Sequence, residues 1–235
     1  MVEIQNLTKY YGSKAALKGI SFTIKENEVL GFLGPNGAGK STTLNIMAGV
    51  IPSTGGTVKI QGYDIAQQPV KAKKCIGFLP EIPPVYPDMK VREYLHFAAG
   101  LKGIPAAKRK GEVERVMERL KITDVQKRLI RNLSKGYKQR VGFAMAILGD
   151  PPVLILDEAT SSIDTRTEAL VQRGMDGLMY GRTSFVIAHR LSTVRNADCI
   201  VVLEQGRIIE RGSHDELIAK KGKYYQLYTG NLAEN

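Results

Sequence analysis

Short apolar runs and longer amphipathic segments alternate along this chain. The runs have the length and residue types of β-strands; they are Val2–Tyr10, Leu17–Ile24, Val29–Leu33, Thr57–Ile60, Cys75–Leu79, Val153–Leu156 and Thr183–Ala188. Near the C-terminus, Glu204-Gln205-Gly206 separates Asp198–Leu203 from Arg207–Arg211, which predicts a hairpin. Strands that alternate with helical segments predict an α/β fold.

Apolar residues recur at helical spacing between these strands. Ser134 is a good N-cap and Gly149 a good stop, so a helix of about 15 residues is predicted between them. Ser213 and Glu216 form a capping-box pattern before a short helix. The other predicted helices begin at Ser41 or cover Val91–Leu101, Ala106–Leu120 and Asp164–Met179.

The organisation of the chain changes at Pro80. The stretch Pro80-Glu81-Ile82-Pro83-Pro84, with Pro87 close behind, cannot form a helix or an inner strand. It is typical of a hinge that leads into a helical segment. The pattern predicts a single domain over residues 1–235, with a strand-rich core (1–81 and 151–235) and a helical subdomain at about residues 82–150.

Composition indicates a globular protein with its own core. The chain is 43% hydrophobic and 24% charged. No apolar run approaches the ~18 residues of a transmembrane helix, and the N-terminus enters strand-like sequence without a signal peptide. Cys75 and Cys199 stand alone in strand-like runs. We expect them to be small buried hydrophobes rather than a disulfide or metal site, in a reducing compartment, most simply the cytosol.

The formal net charge of +11 admits three explanations: a solvated surface, proximity to an anionic membrane, or nucleic-acid binding. The basic residues form short clusters at 71–74, 108–110 and 135–140, without the interleaved aromatics that single-strand binders need. This distribution favours the solvated surface first, the membrane second and nucleic acid last.

The clearest chemistry lies between the predicted strand Val29–Leu33 and the helix that follows it. Gly34-Pro35-Asn36-Gly37-Ala38-Gly39-Lys40-Ser41 is a complete G-x-x-x-x-G-K-[ST] phosphate loop. Its glycines let successive backbone N–H groups face an anion, and the helix N-terminus adds partial positive charge. Lys40 is predicted to reach the β- and γ-phosphates and Ser41 to ligate magnesium. We therefore expect nucleoside triphosphate binding.

Two adjacent carboxylates end the most apolar predicted strand. Val153-Leu154-Ile155-Leu156 indicates a strand buried on both faces, and Asp157 and Glu158 follow it. Adjacent acids at a strand end are often turn residues, but beside a phosphate loop we expect Asp157 to hold magnesium, directly or through water. Glu158 would then orient or deprotonate the attacking water.

Two further side chains are candidates for nucleotide contact. His189 follows the predicted strand Thr183–Ala188, at the edge where ligands gather in open α/β sheets. A hydrogen bond to the γ-phosphate is favoured there over a structural role. Tyr11 lies in the predicted turn between the first two strands, where it either stacks on adenine or covers the sheet edge. Spacing alone does not decide between these.

The N-terminal turn of the Ser134 helix is a second candidate phosphate surface. Leu133-Ser134-Lys135-Gly136-Tyr137 presents a hydroxyl, a bare glycine and a positive helix end. A rigid helix about 22 Å long is expected to hold this turn away from Lys40 of the same chain. The nucleotide of a partner chain is then the natural ligand. The alternative is an ordinary, well-capped helix.

In this order, the phosphate loop, L-S-K-G-Y, L-I-L-D-E and I-A-H-R resemble the nucleotide-binding domain of ATP-binding cassette (ABC) transporters, over residues 2–229. The resemblance implies a P-loop NTPase fold with a RecA/F1-like parallel-sheet core, an antiparallel β subdomain and an inserted α-helical subdomain. It also implies Mg²⁺-dependent ATP hydrolysis by a head-to-tail dimer. In such a dimer, each ATP lies between the phosphate loop (Walker A) of one chain and the signature of the other.

The resemblance also assigns roles to residues of this sequence. The implied catalytic residues are Lys40, Glu158 (general base) and His189 (γ-phosphate sensor). The implied magnesium ligands are Ser41, Glu81 and Asp157. The implied nucleotide contacts are Tyr11, Gly34, Asn36, Gly37, Gly39, Lys40, Ser41, Thr42, Ser134 and Gly136, and Ser161–Asp164 matches the D-loop.

The sequence departs from the family pattern at three positions. Glu81 stands where glutamine is usual, and a carboxylate there can still ligate magnesium. Lys135 and Tyr137 stand in the signature where glycine and glutamine are usual. We interpret Glu81 as variation within the family.

Two styles of cassette sequence meet near residue 157. The first part resembles cassettes made as separate chains for export or multidrug resistance. From Glu158 onward, stretches such as Gly212-Ser213-His214-Asp215-Glu216-Leu217 resemble cassettes fused behind the membrane domain of lipid and multidrug exporters. We hypothesise a mosaic of two ABC domains, natural or engineered. The alternative is a natural intermediate sequence.

The sequence thus predicts a cassette that binds and hydrolyses ATP and energises a transmembrane exporter. Its expected partners are a second copy of itself or a related cassette and a transporter's membrane domain, with no nucleic acid. It would be cytoplasmic and peripheral at the inner face of the cell membrane. Two alternatives stay open: a folded ATP-binding scaffold without turnover, and a soluble cassette acting on nucleic acid or ribosomes. Against the latter, the chain has one cassette and neither a coiled-coil arm nor a long linker.

Overall fold

Strands form two sheets in the residues that the computed structural model describes, 1–157, 177–187 and 194–230. The strands are β1 (Val2–Tyr11), β2 (Lys14–Ile24), β3 (Val29–Leu33), β4 (Gly55–Ile60), β5 (Tyr63–Asp64), β6 (Ile76–Leu79), β7 (Val153–Asp157), β8 (Thr183–Ile187), β9 (Cys199–Glu204) and β10 (Arg207–Gly212). One sheet is antiparallel, in the order β2-β1-β4-β5. The other has the order β10-β9-β3-β8-β7-β6 and is parallel except for β10.

Helices precede, interrupt and follow the parallel sheet in the described part of the chain. They are α1 (Lys40–Met47), α2 (Pro69–Lys74), α3 (Val91–Leu101), α4 (Ala106–Arg119), α5 (Lys135–Ile147), α6 (His214–Lys220) and α7 (Lys223–Thr229). Helices α3, α4 and α5 come between β6 and β7 in sequence. As predicted, Ser134 caps α5 by accepting the Tyr137 N–H, and Ser213 and Glu216 form a capping box at α6.

The described residues form three hydrophobic cores, and the parallel sheet separates the two larger ones. Every residue of β7 and of β8 is buried, because such a strand is covered on both faces. Side chains on β7 alternate between the cores: Leu154 and Leu156 pack with the helices α3–α5, whereas Val153 and Ile155 pack with α1 and the antiparallel sheet. The strand therefore ties the helical subdomain to the strand-rich part.

This architecture confirms the predicted α/β fold with a parallel-sheet core, an antiparallel β subdomain and an inserted helical subdomain. Because β3, β8, β7 and β6 are parallel neighbours, their carboxyl ends meet at one edge of the sheet, the usual place for a ligand in open α/β folds. No helix in the described ranges is long and apolar enough to cross a membrane.

Some local predictions were wrong. Tyr11 pairs with Lys14 and ends β1, so the turn is Gly12-Ser13 alone. Cys75 lies at the end of α2 instead of in a strand and is only partly buried, whereas Cys199 is buried in β9; both are free thiols. The predicted helix Asp164–Met179 falls largely outside the described residues.

Among the described residues, strand β5 and helices α2 and α7 were not predicted. Strand β5 has two residues, too few to show a period. Helix α2 reads P-V-K-A-K-K and buries only Ala72, so it lacks an amphipathic stripe. Helix α7 is anchored from a distance, because the Glu210 carboxylate accepts the N–H groups of Lys223 and Tyr224.

Candidate functional site

The phosphate loop joins β3 to α1 and requires glycine at three positions. Gly34, Gly37 and Gly39 have φ values of +151°, +79° and +109°, which L side chains rarely adopt. A Cβ on Gly34 would lie 2.1 Å from the carbonyl oxygen of Leu203, and one on Gly39 would lie 2.7 Å from that of Ala16. Gly37 faces open space, so only its backbone conformation requires glycine.

Residues distant in sequence support this loop. Gly206, in the turn between β9 and β10, donates its N–H to the carbonyl oxygen of Ala38 at 3.0 Å. The backbone N–H of Lys18, on β2, donates to the carbonyl oxygen of Gly206 at 2.9 Å. Sequence reasoning missed Ala16, Leu203 and Gly206 as supports of the loop, because they act through backbone atoms and carry no motif.

The start of α1 is arranged for an anion. Its N-cap is Gly39, which has no side chain to cap the helix, so the first-turn N–H groups are available to phosphate oxygens. Ser41 lies in this turn with its side chain exposed, and Thr42 is half-buried. The first turn of α1 thus offers backbone donors at the place where the motif predicts phosphate contacts.

Lys40 lies buried at the centre of this loop. Its side chain is 8% exposed, and Nζ donates to the carbonyl oxygens of Gly34 at 2.7 Å and Pro35 at 3.0 Å. Burial lowers the pKa of Lys40, and the nearby charge of Asp157 raises it in part. The structure therefore brings Lys40 and Asp157 into one electrostatic site.

The predicted carboxylates lie at the carboxyl edge of the sheet. Asp157 ends β7 and is 7% exposed, and β8 separates it from the loop strand β3. Glu81 follows β6 by two residues at the same edge and is exposed. Glu158, His189 and the segment 161–164 lie outside the described residues.

The donor set fits magnesium. Mg²⁺ prefers oxygen ligands and is usually held by one or two carboxylates together with substrate phosphates. Ser41 and Asp157 supply a hydroxyl and a carboxylate of this kind. In the described ranges no group of three or more His, Cys, Asp and Glu residues is placed to hold a metal.

Tyr11 is exposed at the end of β1. The ammonium of Lys9 lies over its ring, 5.1 Å from the centroid, and the same Nζ donates to the carbonyl of Pro52 at 2.8 Å. The Tyr11 side chain is 52% exposed, and the Lys9 ammonium covers one face of its ring. Its contact with adenine stays a prediction.

The signature turn, Leu133–Tyr137, lies at the start of α5, and α5 packs on β6, an edge strand of the parallel sheet. A Cβ on Gly142 of α5 would lie 2.7 Å from the Leu79 side chain, and one on Gly77 would lie 2.5 Å from the Ala146 carbonyl, so α5 packs against β6. β6 is three strand spacings, about 14 Å, from β3. The contact of Ser134 and Gly136 with a nucleotide of another chain stays a prediction.

Tyr137 has a structural role that the sequence does not indicate. Its hydroxyl donates to the Asp124 carboxylate at 2.7 Å, and the Arg140 guanidinium lies 4.1 Å from its ring centroid. The hydrogen bond to Asp124 raises the pKa of Tyr137. Tyr137 therefore joins the start of α5 to the short turn Thr123–Val125.

A protein-family model described as ABC transporter matches residues 17–161 of this chain. The chain is 38% identical over 239 residues to an ATP-dependent lipid A-core flippase of Syntrophus aciditrophicus. All of this chain aligns with 40% of the flippase, so the chain spans well under half the length of that relative.

Solved structures share the fold over nearly the whole chain. A bacterial Atm1-family ABC exporter with ATP bound has a TM-score of 0.84 and 30% identity, covering 99% of this chain and 42% of the exporter chain. The dimeric ATP-binding cassette MJ0796, in a post-hydrolysis state bound to ADP and Pi, has a TM-score of 0.80 and 26% identity. That comparison covers 91% of this chain and 98% of the cassette.

Proposed function

Since this chain belongs to the ABC transporter family, as an ATP-binding and ATP-hydrolysing cassette, we propose that two such cassettes hydrolyse Mg²⁺-ATP at composite sites to energise a membrane exporter. The observation that carries the proposal is the phosphate loop, with Lys40 buried at its centre beside Asp157. A buried ammonium next to the N-terminal turn of a helix is suited to a polyphosphate.

Binding is the work of the loop and the first turn of α1. Backbone N–H groups between Asn36 and Thr42 would surround the phosphates, and Lys40 would exchange its loop carbonyls for β- and γ-phosphate oxygens. Ser41 and Asp157 would hold magnesium, with Glu81 at the same edge as a further ligand. When bound, magnesium neutralises part of the phosphate charge. Tyr11 would stack on adenine.

Hydrolysis requires a water in line with the γ-phosphorus. Glu158 directly follows Asp157 and would take the proton from this water as it attacks. His189 comes two residues after β8, the strand between β3 and β7, and would donate a hydrogen bond to the γ-phosphate. The bond to the β-phosphate oxygen then breaks, and ADP and phosphate leave.

The second half of each site would come from another cassette. Ser134 and Gly136 would contact the γ-phosphate held by the partner. This agrees with the packing of their helix, α5, on β6, three strands away from β3. The solved cassette MJ0796, which has this fold, is dimeric. The partner is a second copy of this chain or a related cassette.

A membrane domain would dock against the helical subdomain. Exposed aromatic and aliphatic groups gather there beside Glu81: Ile82 is 81% exposed, and the exposed Tyr86 ring lies 5.7 Å from the exposed Phe97 ring and 6.1 Å from the buried ring of Tyr94. The flippase and the Atm1-family exporter are both more than twice as long as the part this chain matches. The cassette would then lie at the cytoplasmic face of the membrane.

Lys40→Ala tests the binding site. We expect the variant to lose at least tenfold in ATP affinity, because a charge-assisted contact to phosphate contributes about 1.5–3 kcal/mol. Lys59→Ala, a matched change at an exposed position on β4, should bind like the wild type. Titration of a fluorescent ATP analogue measures both. Equal affinity for the Lys40 variant and the wild type would contradict the assignment.

A further inference from the structure

The C-terminal end of α5 is held by a lysine from another helix. Lys102, the residue after α3, donates from Nζ to the carbonyl oxygens of Ala146 at 2.7 Å and Leu148 at 3.1 Å. These carbonyls belong to the last turn of a helix, where no intrahelical N–H is available. The lysine therefore replaces water as the partner of this helix end.

Two residues of α4 complete this contact. The Glu112 carboxylate accepts the Gly149 N–H at 2.7 Å, just beyond α5. Arg115 donates to both oxygens of Glu112, at 2.7 and 2.9 Å, and contacts the Ile147 carbonyl at 3.4 Å. We call Lys102, Glu112 and Arg115 the α5 clamp.

The α5 clamp costs free energy to form, because it takes the charged end of Lys102 out of water. Lys102 lies against a pocket of about 640 Å³ that is lined by apolar residues, including Ile76, Ile104 and Leu148, and by two further lysines, Lys73 and Lys74. Burial lowers the pKa of Lys102 to about 8, although Glu112 nearby raises it in part. A simpler helix end was available, because Gly149 already has the positive φ of an ordinary C-terminal stop.

The clamped end lies between two parts of the catalytic machinery. α5 carries the signature turn at its N-terminus, and the five residues Leu148–Pro152 connect its C-terminus to β7 and Asp157. On the other side of this connection, Asp150 pairs with Arg182, which precedes β8. A 13-residue helix is rigid and about 20 Å long, so a tilt at its clamped end displaces Ser134 and Gly136 at the other.

We propose that Lys102 is a positioning residue for the partner chain's ATP: through the α5 clamp it fixes α5 so that Ser134 and Gly136 meet the nucleotide held by the other cassette. This inference rests on the proposed composite site. Lys102 would act on the site in trans through α5 of its own chain, whose last turn it contacts.

Lys102→Met removes the donors and keeps most of the side-chain volume. Homodimers of this variant should turn over ATP at least about tenfold more slowly, since a displacement of 1 Å can cost up to ~100-fold. ATP affinity, set at Lys40 of the same chain, should stay within twofold of wild type. Lys110→Met, on the exposed face of α4, is the matched control and should keep the wild-type rate.

Mixing two slow variants distinguishes action in trans from a general structural effect. A dimer of one Lys102→Met chain and one Lys40→Ala chain has one composite site with an intact phosphate loop and an intact signature. The mixture should therefore hydrolyse ATP faster than either variant alone. Ser134→Glu, a direct lesion of the signature, should be rescued by Lys40→Ala in the same way. Asp157→Ala should not, because it damages the same half-site as Lys40→Ala.

Each other outcome overturns a specific statement. Rescue of Ser134→Glu without rescue of Lys102→Met would show that Lys102 acts within its own chain and overturn the inference. A wild-type rate for Lys102→Met homodimers would do the same. Failure of Ser134→Glu itself to be rescued would overturn the composite site and, with it, this inference. If Lys102→Met does not fold, Glu112→Ala opens the same clamp and must pass the same mixing test.

Discussion

At the scale of single residues, both the backbone conformation and the lack of space at position 39 require glycine. A left-handed conformation costs an L residue about 1–2 kcal/mol, and a Cβ would also lie 2.7 Å from both the Ala16 carbonyl oxygen and the Leu17 side chain. Gly37 shares the conformation but has open space around it. The pair therefore separates the two effects.

We expect Gly39→Ala to lower the free energy of unfolding by more than the ~1–2 kcal/mol of the conformational term, and to weaken ATP binding. Gly37→Ala should cost only that term. Urea denaturation of both variants measures the difference. Equal losses would mean that the loop moves away from Ala16 and Leu17 at no cost.

The buried ammonium of Lys102 gives a pH dependence with a definite sign. Its pKa is about 8 in the folded chain and 10.5 ordinarily, so between these values the unfolded chain binds more protons. The contribution of Lys102 to the free energy of unfolding is therefore complete above pH 10.5 and is lost progressively as pH falls from 10.5 to 8.

Relative to Lys102→Met, the wild-type free energy of unfolding should rise from pH 8 to pH 10 by on the order of 1 kcal/mol per pH unit. Denaturant titrations of both proteins at several pH values measure the difference, in which residues common to both cancel. A difference that is flat or falls with pH would contradict the depressed pKa.

At the scale of elements, α4 contains a glycine that its helix does not require. Gly111 lies in the exposed middle of α4, and a Cβ added there would meet no atom of another element within 4 Å. Glycine inside a helix costs about 0.5–1 kcal/mol relative to alanine. We expect Gly111→Ala to raise the free energy of unfolding by this amount.

The matched change is Gly103→Ala, in the turn between α3 and α4. Gly103 also has open space, but its φ is +76°, so alanine there should destabilise the protein. Thermal or urea unfolding of the two variants should therefore shift in opposite directions. Shifts in the same direction would show that local backbone conformation does not decide the effect.

At the scale of the whole molecule, the incomplete phosphate surface predicts association during turnover. The ATPase rate per chain should rise with protein concentration, because each proposed site needs a second cassette. Lys40→Ala serves as the blank. ATP binding with no turnover at any concentration would favour the alternative of a folded scaffold, and a rate per chain independent of concentration would argue against the composite site.

The mosaic hypothesis belongs to the same scale and stays a prediction. If residues before and after about 157 have different origins, binding within one chain should survive better than the contacts between chains. The two parts share one parallel sheet, in which Asp157 of the first pairs with Ile187 of the second. The concentration series therefore bears on the hypothesis as well.

The sequence by itself determined the local elements and the chemistry of the phosphate loop. Both depend on neighbours in sequence: apolar period, caps such as Ser134 and Ser213, and glycines at fixed spacing from Lys40. The order of the motifs along the chain also sufficed for the family and its fold. Elements too short to show a hydrophobic period, such as β5 and α2, were not predicted from the sequence.

Only the tertiary structure decided which distant groups meet. The strand order places Asp157 near Lys40, although β8 lies between β7, which ends at Asp157, and β3, which leads into the phosphate loop. No local pattern encodes that order. The walls of the phosphate loop at Ala16, Leu203 and Gly206 are backbone atoms, which carry no residue signature. The α5 clamp likewise depends on a lysine that reads as surface charge in sequence and becomes buried only when α3, α4 and α5 pack together.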